Sequence, residues 1–392
     1  MISSDVSALV DGIVDYTLEI ESTHHAGRHN RLYARRKQLI ETLTNHEASE
    51  SGYLALLNHE NAKVRLSTAW DCRYKNILTE RVTSTLNALA ALPGEIGDSA
   101  RNCLQKEDFK TTSPPPSKTI LYDAQPEGCT RTQAVSIIGV AFSDAWLQSI
   151  LDLLRPSIRL WPKPVSQNPI ASRFGGMPVV PTRWAWPVEN DEPLLFLAQI
   201  NCAEVKAYAG SEALPSAGLL AFFGDGDDVN GCGPTGGGRV YYFPDISHLN
   251  VAEKPLYDFE PQISCGLSFY NSFELPDPKN KLVTALNLSA EERDAYCDVS
   301  GKIAKFGLPS DWASVYNSKL FGWPKLVQGE LDIIKYYQRI GMHPILLIQI
   351  GWYHDGAEWE GWGPGGLVYF VIDETALTEG RFEAAELDMQ CT

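Results

Sequence analysis

The sequence predicts an α+β protein: an all-α N-terminal module, then a larger, mainly antiparallel β domain with an internal duplication and a few helices. Apolar residues recur at helical spacing through the first ninety residues. A proline triplet then breaks the pattern, and the remaining texture is short apolar runs punctuated by Gly and Pro. Within that later stretch a single phrase is written twice.

The first helix is expected over 5–22, where Val6, Leu9, Val10, Ile13, Val14, Thr17 and Leu18 share one face behind Ser3 and Ser4. Further helices follow over roughly 28–45, 51–58, 62–75, 80–92 and 95–107, the fifth ended by Pro93-Gly94. Short helices in antiparallel pairs imply a solenoid-like module over 1–110. Thr111 to Lys118, with Pro114-Pro115-Pro116, cannot form a helix and reads as the linker, which leaves 119–392 as the second domain. There a helix is expected over 143–154, with strands over 194–200, 218–223, 239–243, 256–260, 267–273, 345–352, 366–372 and 386–390. Ser289-Ala290-Glu291-Glu292 is a capping box opening a helix to about Lys305.

The repeated phrase runs from Phe174-Gly175-Gly176-Met177-Pro178 through an apolar run containing Gln199 to the strand opened by Gly218. Its second copy runs from Phe321-Gly322-Trp323-Pro324 through a run containing Gln349 to the strand opened by Gly366. An unpartnered amide inside such strands would cost a few kcal/mol, so Gln199 and Gln349 must each find partners. Two readings stand. The amides bridge backbone groups where the two units meet, or they line a shared ligand cleft.

Of the formal charge of −16, residues 111–392 carry −14, with 20 Lys+Arg against 34 Asp+Glu. That field repels nucleic acid and favours a basic partner. No apolar stretch is long enough to cross a bilayer, and Asp5, Asp11 and Asp15 interrupt any leader-like pattern, so a cytoplasmic location and no membrane partner are expected. The eight cysteines are scattered singly, which suits reduced thiols. Common hydrolase and nucleotide motifs are absent. The G-x-G-x-x-G at Gly231, Gly233 and Gly236 leads into a strand rather than a helix. His25 and His29 lack a third ligand nearby. No cofactor, metal or catalytic residue is expected.

Leu56 to Trp70, a polar turn before a Val64-Arg65 pair and a small-residue helix, resembles a HEAT-type repeat. Ser172-Arg173-Phe174-Gly175-Gly176-Met177-Pro178, Trp186-Pro187, the Gln199 run, Phe321-Gly322-Trp323-Pro324, the Gln349 run, Trp362-Gly363, Leu367-Val368-Tyr369-Phe370 and Gln390-Cys391 together resemble the YwqG-like family of bacterial proteins. The resemblance spans about 150–392. It implies a fold, no established activity, and a place among small bacterial proteins linked to neutralising secreted toxins.

Two segments carry the candidate recognition residues. Trp352, Tyr353, Asp355, Glu358, Trp359, Glu360 and Trp362 crowd large aromatics and acids between two expected strands, which suits a basic protein partner. The tryptophans folding down onto the sheet is the competing reading. Asp225, Asp227 and Asp228 lie in a Gly-rich hairpin loop that adds negative charge without the register of a calcium loop. The functional expectation is an immunity protein whose acidic, aromatic surface occludes a cognate toxin's active site. The alternative is a ligand-binding or enzymatic domain using a cleft between the duplicated units. On the second helix, Arg28, Arg31 and Arg35 form a basic flank, whereas Arg36 falls on the apolar stripe, as expected of an arginine paired to a neighbouring helix.

Overall fold

The structure is a computed structural model. It describes residues 4–22, 26–75, 77–105, 127–142, 144–189, 192–224, 233–234, 237–255, 259, 261–308, 317–351, 353–354, 359–360, 362 and 366–391. Two compact units result, Met1–Pro116 and Ser117–Thr392.

Among its described residues the first unit holds six helices: α1 (Ser4–Ser22), α2 (Ala26–Thr44), α3 (Ser49–Leu57), α4 (Ala62–Tyr74), α5 (Thr79–Ala90) and α6 (Glu95–Gln105). Its core gathers Val6, Ile13, Ile40, Leu43, Leu56, Leu57, Val64, Leu86 and Leu89. Asn61 starts α4 by accepting from the Lys63 amide at 2.9 Å. Arg65 secures the preceding turn by donating to the His59 and Glu60 carbonyls at 2.6 and 2.7 Å. Arg36 is buried among α1, α2 and α4, donating to Thr17 Oγ1 at 2.7 Å and pairing with Asp71 at 2.6 Å. The arginine on the apolar stripe is thus a tie between helices. The side chains of Arg28 and Arg31, and the linker 111–118, lie outside the described residues.

The described residues of the second unit open with helices α7 (Arg131–Ala141) and α8 (Asp144–Leu151). The first was not expected, although Thr130 and Gln133 cap it reciprocally. Short helices α9 (Cys202–Val205) and α10 (Lys281–Thr284) follow, and α7 and α8 pack with α11 (Ala290–Ala304) in one cluster around Tyr296, Ile138 and Ile150. Ser289 and Glu292 form the expected capping box of α11.

The strands, in chain order, begin with β1 (Arg155–Lys163), β2 (Arg173–Phe174), β3 (Val179–Pro181), β4 (Val188–Glu189), β5 (Glu192–Pro193), β6 (Leu195–Asn201), β7 (Leu219–Gly224), β8 (Gly233–Pro234), β9 (Arg239–Phe243) and β10 (Leu249–Val251). They continue with β11 (Cys265–Glu274), β12 (Lys319–Phe321), β13 (Pro344–Ile350), β14 (Tyr353–His354), β15 (Trp359–Glu360), β16 (Leu367–Asp373) and β17 (Glu386–Gln390). Eleven form one antiparallel sheet in the order β8-β17-β16-β13-β12-β1-β11-β2-β6-β7-β9. The expected strand at 256–260 falls almost wholly outside the described residues.

The duplication is visible in that order. Reading outward from the central β1–β11 pair, β12, β13, β16 and β17 on one side answer β2, β6, β7 and β9 on the other. Each repeat therefore contributes a long first strand that pairs with the second strand of the other repeat. The copies match in detail: β6 is bulged between Phe196 and Ala198, and β13 between Leu346 and Ile348. Gln199 faces Arg173 and Ala221; Gln349 faces Lys319 and Tyr369.

The sheet curls until its two arms meet. Phe222 of β7 stacks edge-on against Phe370 of β16 at 5.3 Å, and Tyr242 reaches Phe382 at 5.4 Å. At Gly238 the closure is so tight that an added Cβ would stand 2.4 Å from Leu387 Cβ. One inner core is shared by both repeats, while each repeat keeps a separate outer cluster.

Candidate functional site

Pairing places Arg173 opposite Gln199 and Lys319 opposite Gln349, so Ser172-Arg173-Phe174-Gly175-Gly176-Met177-Pro178 corresponds to Ser318-Lys319-Leu320-Phe321-Gly322-Trp323-Pro324. The equation of the two Phe-Gly steps drawn from sequence is off by one residue. Gly175 corresponds to Phe321, and both hold left-handed backbone at φ +54 and +59. A phenylalanine there is strained, and burial of its ring in the inner core holds it in place.

Each copy ties itself by the same set of bonds. Gln199 Oε1 accepts from the Val179 amide at 3.4 Å and its Nε2 donates to the Ala171 and Pro169 carbonyls at 2.8 Å each. Gln349 Oε1 accepts from the Lys325 amide at 2.9 Å and its Nε2 donates to the Asn317 carbonyl at 2.5 Å. Ser172 Oγ accepts from the Asn201 amide and Ser318 Oγ from the Gly351 amide, at 2.8 and 2.9 Å. Arg173 donates to the Met177 carbonyl as Lys319 does to that of Trp323. Both glutamines are fully buried, and their strand neighbours Ala221 and Tyr369 belong to the separate outer clusters. They bridge backbone groups within their own repeats and share no cleft.

The two basic residues differ in what neutralises them. Lys319 bonds Glu274 Oε1 at 2.7 Å, and Arg159 bonds Oε2 of the same carboxylate at 3.2 Å, all three nearly inaccessible. The Trp323 amide also donates to Glu274, at 2.6 Å. Burial drives the Lys319 ammonium down to about 8, against the pull of Glu274. Arg173 has no carboxylate partner among the described residues. It donates to the Pro169 carbonyl at 2.6 Å, and burial lowers it to about 10. Asp388, accepting from the Ile333 amide at 3.2 Å where α12 (Asp332–Arg339) begins, is raised by burial. All three groups are committed to backbone or ion-pair bonds inside the sheet, as structural charges are.

A concave site lies on the outer side of the first repeat. Between Pro324 and β13 the second repeat forms α12, whose Ile333, Ile334 and Tyr337 cover Leu346, Leu367, Tyr369 and Val371. Between Pro178 and β6 the first repeat instead carries Trp184, Trp186 and the β4–β5 hairpin. That segment and 250–255 enclose an open cleft of about 690 Å³. The range matches ligand pockets, about 300–1,000 Å³. Both indoles are fixed from behind: Trp184 stands edge-on to Tyr241 at 5.1 Å, and Trp186 edge-on to Phe259 at 5.1 Å with Nε1 donating to the Leu194 carbonyl at 2.9 Å. Val188 and Val251, 58% and 56% exposed, form apolar lips. Arg183 stands on the rim in left-handed backbone, φ +63. In the sequence Trp186-Pro187 enters only through the family resemblance; two tryptophans two residues apart, followed by Pro187-Val188, are the signal available there.

The residues expected to recognise a partner are placed as follows. Tyr353 and Trp362 are buried in the inner core and offer no surface. Tyr353 packs on Phe174 at 4.8 Å, and Trp362 Nε1 has no hydrogen-bond partner among the described residues. Both had been expected on a recognition surface; their rings instead belong to the apolar cluster that the two repeats share. Trp359 and Glu360 pair as backbone with His354 and Tyr353, and their side chains lie outside the described residues. Trp352, Asp355, Glu358, Asp225, Asp227 and Asp228 also lie outside the described residues. Among the described residues no cluster of His, Cys, Asp and Glu is disposed to hold a metal, and no helix is long and apolar enough to cross a membrane.

The chain belongs to the DUF1963 family, described as a domain of unknown function. The match runs over residues 172–391. It opens at the serine of the first repeated loop and closes just past β17, so the central strand β1 and the helices before it stand outside. No curated protein matches the chain.

Proposed function

We propose that this chain is a partner-binding protein whose acidic second unit seats a basic protein surface. The observation carrying this reading is charge: residues 111–392 hold −14 of the formal −16, spread over 34 acids. The finer reading is an immunity protein of YwqG-like kind, acting in the cytoplasm on a cognate toxin domain. Its acids at 225–228 and 355–360 would then steer the encounter.

The rival reading, a cleft between the repeats with Gln199 and Gln349 as ligand contacts, lacks support because each amide is consumed by its own loop. The test is affinity capture from the host, identification of the bound protein, and reconstitution with that protein purified. Binding is expected to weaken severalfold when salt rises from low to physiological, as screening shortens the reach of the acidic field. Capture of no protein, or an affinity indifferent to salt, defeats the proposal.

A further inference from the structure

The cleft on the first repeat is built from the two segments in which that repeat departs from its twin. One wall is the stretch that becomes α12 in the second repeat; the other is the connection from β9 to β11, which occurs once because it joins the copies. Both walls pack on the outer cluster of the first repeat, a task that α12 performs in the twin without any indole. Covering the face does not call for two indoles that border an open cleft, and a role outside folding accounts for them.

We propose that this cleft binds a neutral saccharide. The walls are flat and apolar: the Trp184 and Trp186 rings lie 6.4 Å apart at 66°, giving two faces of a corner against which the C–H faces of sugar rings pack. The rim is mixed in character. Asn250 Nδ2 spends its donors on Thr182 Oγ1 at 3.2 Å and the His248 carbonyl at 3.3 Å, which leaves its Oδ1 as an acceptor and the Thr182 hydroxyl proton as a donor. Arg183 adds further donors and Glu253 further acceptors, both exposed and without a hydrogen bond or ion pair to any described residue. Their charges cancel at the rim. With one basic and one acidic side chain on the rim, the lining singles out neither sign of ligand charge, whereas hydroxyl groups both donate and accept.

Arg183 adds a second line of argument. Its left-handed backbone is a conformation glycine adopts freely and an arginine does not, so the side chain is kept at some expense of stability.

The experiment uses the full chain, labelled for indole N–H detection by NMR, with signals assigned through Trp184→Phe and Trp186→Phe. Neutral hexasaccharides of α- and β-linked glucose, xylose and N-acetylglucosamine are titrated to millimolar concentration. Both indole signals are expected to shift and saturate with one of these sugars. Arg183→Gly is expected to weaken that binding about tenfold or more, from loss of charge-assisted bonds, at an equal or higher Tm. Asn250→Ala should weaken it too. No shift with any of these sugars overturns the proposal, as does binding unchanged in Arg183→Gly and Asn250→Ala. Saturable shifts with a proline-rich peptide instead assign the cleft to peptides and also overturn it. The readout needs no protein partner and stands or falls apart from the acidic-surface reading.

Discussion

Replacing either buried glutamine by leucine tests the framework directly, and the two sites should not respond equally. Leucine fills nearly the same volume, so little cavity opens, and the cost comes from backbone groups left without partners. In Gln199→Leu the orphaned groups are the Val179 amide and the Ala171 carbonyl, both on buried residues, while the Pro169 carbonyl keeps its bond from Arg173. A buried unsatisfied group costs about 1–3 kcal/mol, so the pair costs about 2–6 kcal/mol, and the added apolar burial returns about 1 kcal/mol, which leaves a net loss of about 1–5 kcal/mol. In Gln349→Leu the Lys325 amide belongs to an exposed residue and Asn317 is half-buried, so water takes over some of the bonding. A loss of about 1–2 kcal/mol follows. Urea unfolding followed by hydrogen-exchange mass spectrometry reads the second unit separately from the first. Losses below about 1 kcal/mol at both sites, or a larger loss at Gln349, would show that the amides do not brace their loops.

Other perturbations give distinct signatures. Glu274→Gln removes the carboxylate shared by Lys319 and Arg159 and is expected to cost about 3–5 kcal/mol by leaving two buried cations unpaired; a neutral outcome in the same unfolding assay refutes that role. Because the Lys319 ammonium is lowered to about 8 from 10.5, the native state binds fewer protons than the unfolded chain between those values, and stability rises with pH there. The stability of the wild type relative to Lys319→Met should therefore climb by up to about 1.4 kcal/mol per pH unit across that window, and a flat difference argues against it. Cys202 is raised by burial to about 12, so its native thiol keeps a proton that the unfolded chain releases, and its contribution is lost as pH climbs above about 8.5. A maleimide at neutral pH should label exposed Cys297 quickly and Cys72, Cys129 and Cys202 only on unfolding; early labelling of the buried thiols contradicts the packing.

Much of the architecture was legible because it depends on periodicity. The helices of the first unit and the strands bearing Gln199 and Gln349 lie within a few residues of the stretches their apolar spacing marks out. The central strand β1 was not legible, since Pro156, Pro162, Arg155, Arg159 and Lys163 break any apolar alternation. Both prolines are tolerated for one reason. The Leu160 amide points toward β12, so Pro156 and Pro162, an even number of residues away, turn their missing amides to that side too. β12 pairs only with residues 157–159 and asks nothing of either. Strands as short as β2 and β12 leave no periodic trace, and that is how Phe174-Gly175 came to be equated with Phe321-Gly322. Identity of side chains pointed one way; the serine, the basic residue and the proline, which carry the bonds, pointed one residue away. At the candidate site, the fate of Tyr353 and Trp362 was undecidable from composition, because an aromatic cluster reads alike on a surface and in a core.

The exchange of first strands explains why the repeats diverge where they do. β1 of the first copy hydrogen-bonds to β12 of the second, and β11 of the second to β2 of the first, so the centre of the sheet belongs to neither copy alone. Residues that serve this junction and the loops beside it are constrained twice, once by their own repeat and once by the other. The glutamines, the serines and the basic residues that brace the loops sit there, and they keep the same bonds in both copies. The outer faces answer to one copy only. Covering such a face requires apolar contact but no particular backbone, and a helix does it in one repeat while a tryptophan loop does it in the other. A duplicated sheet with a shared centre thus leaves its freedom to vary at the outer clusters, and the cleft occupies the more divergent of the two.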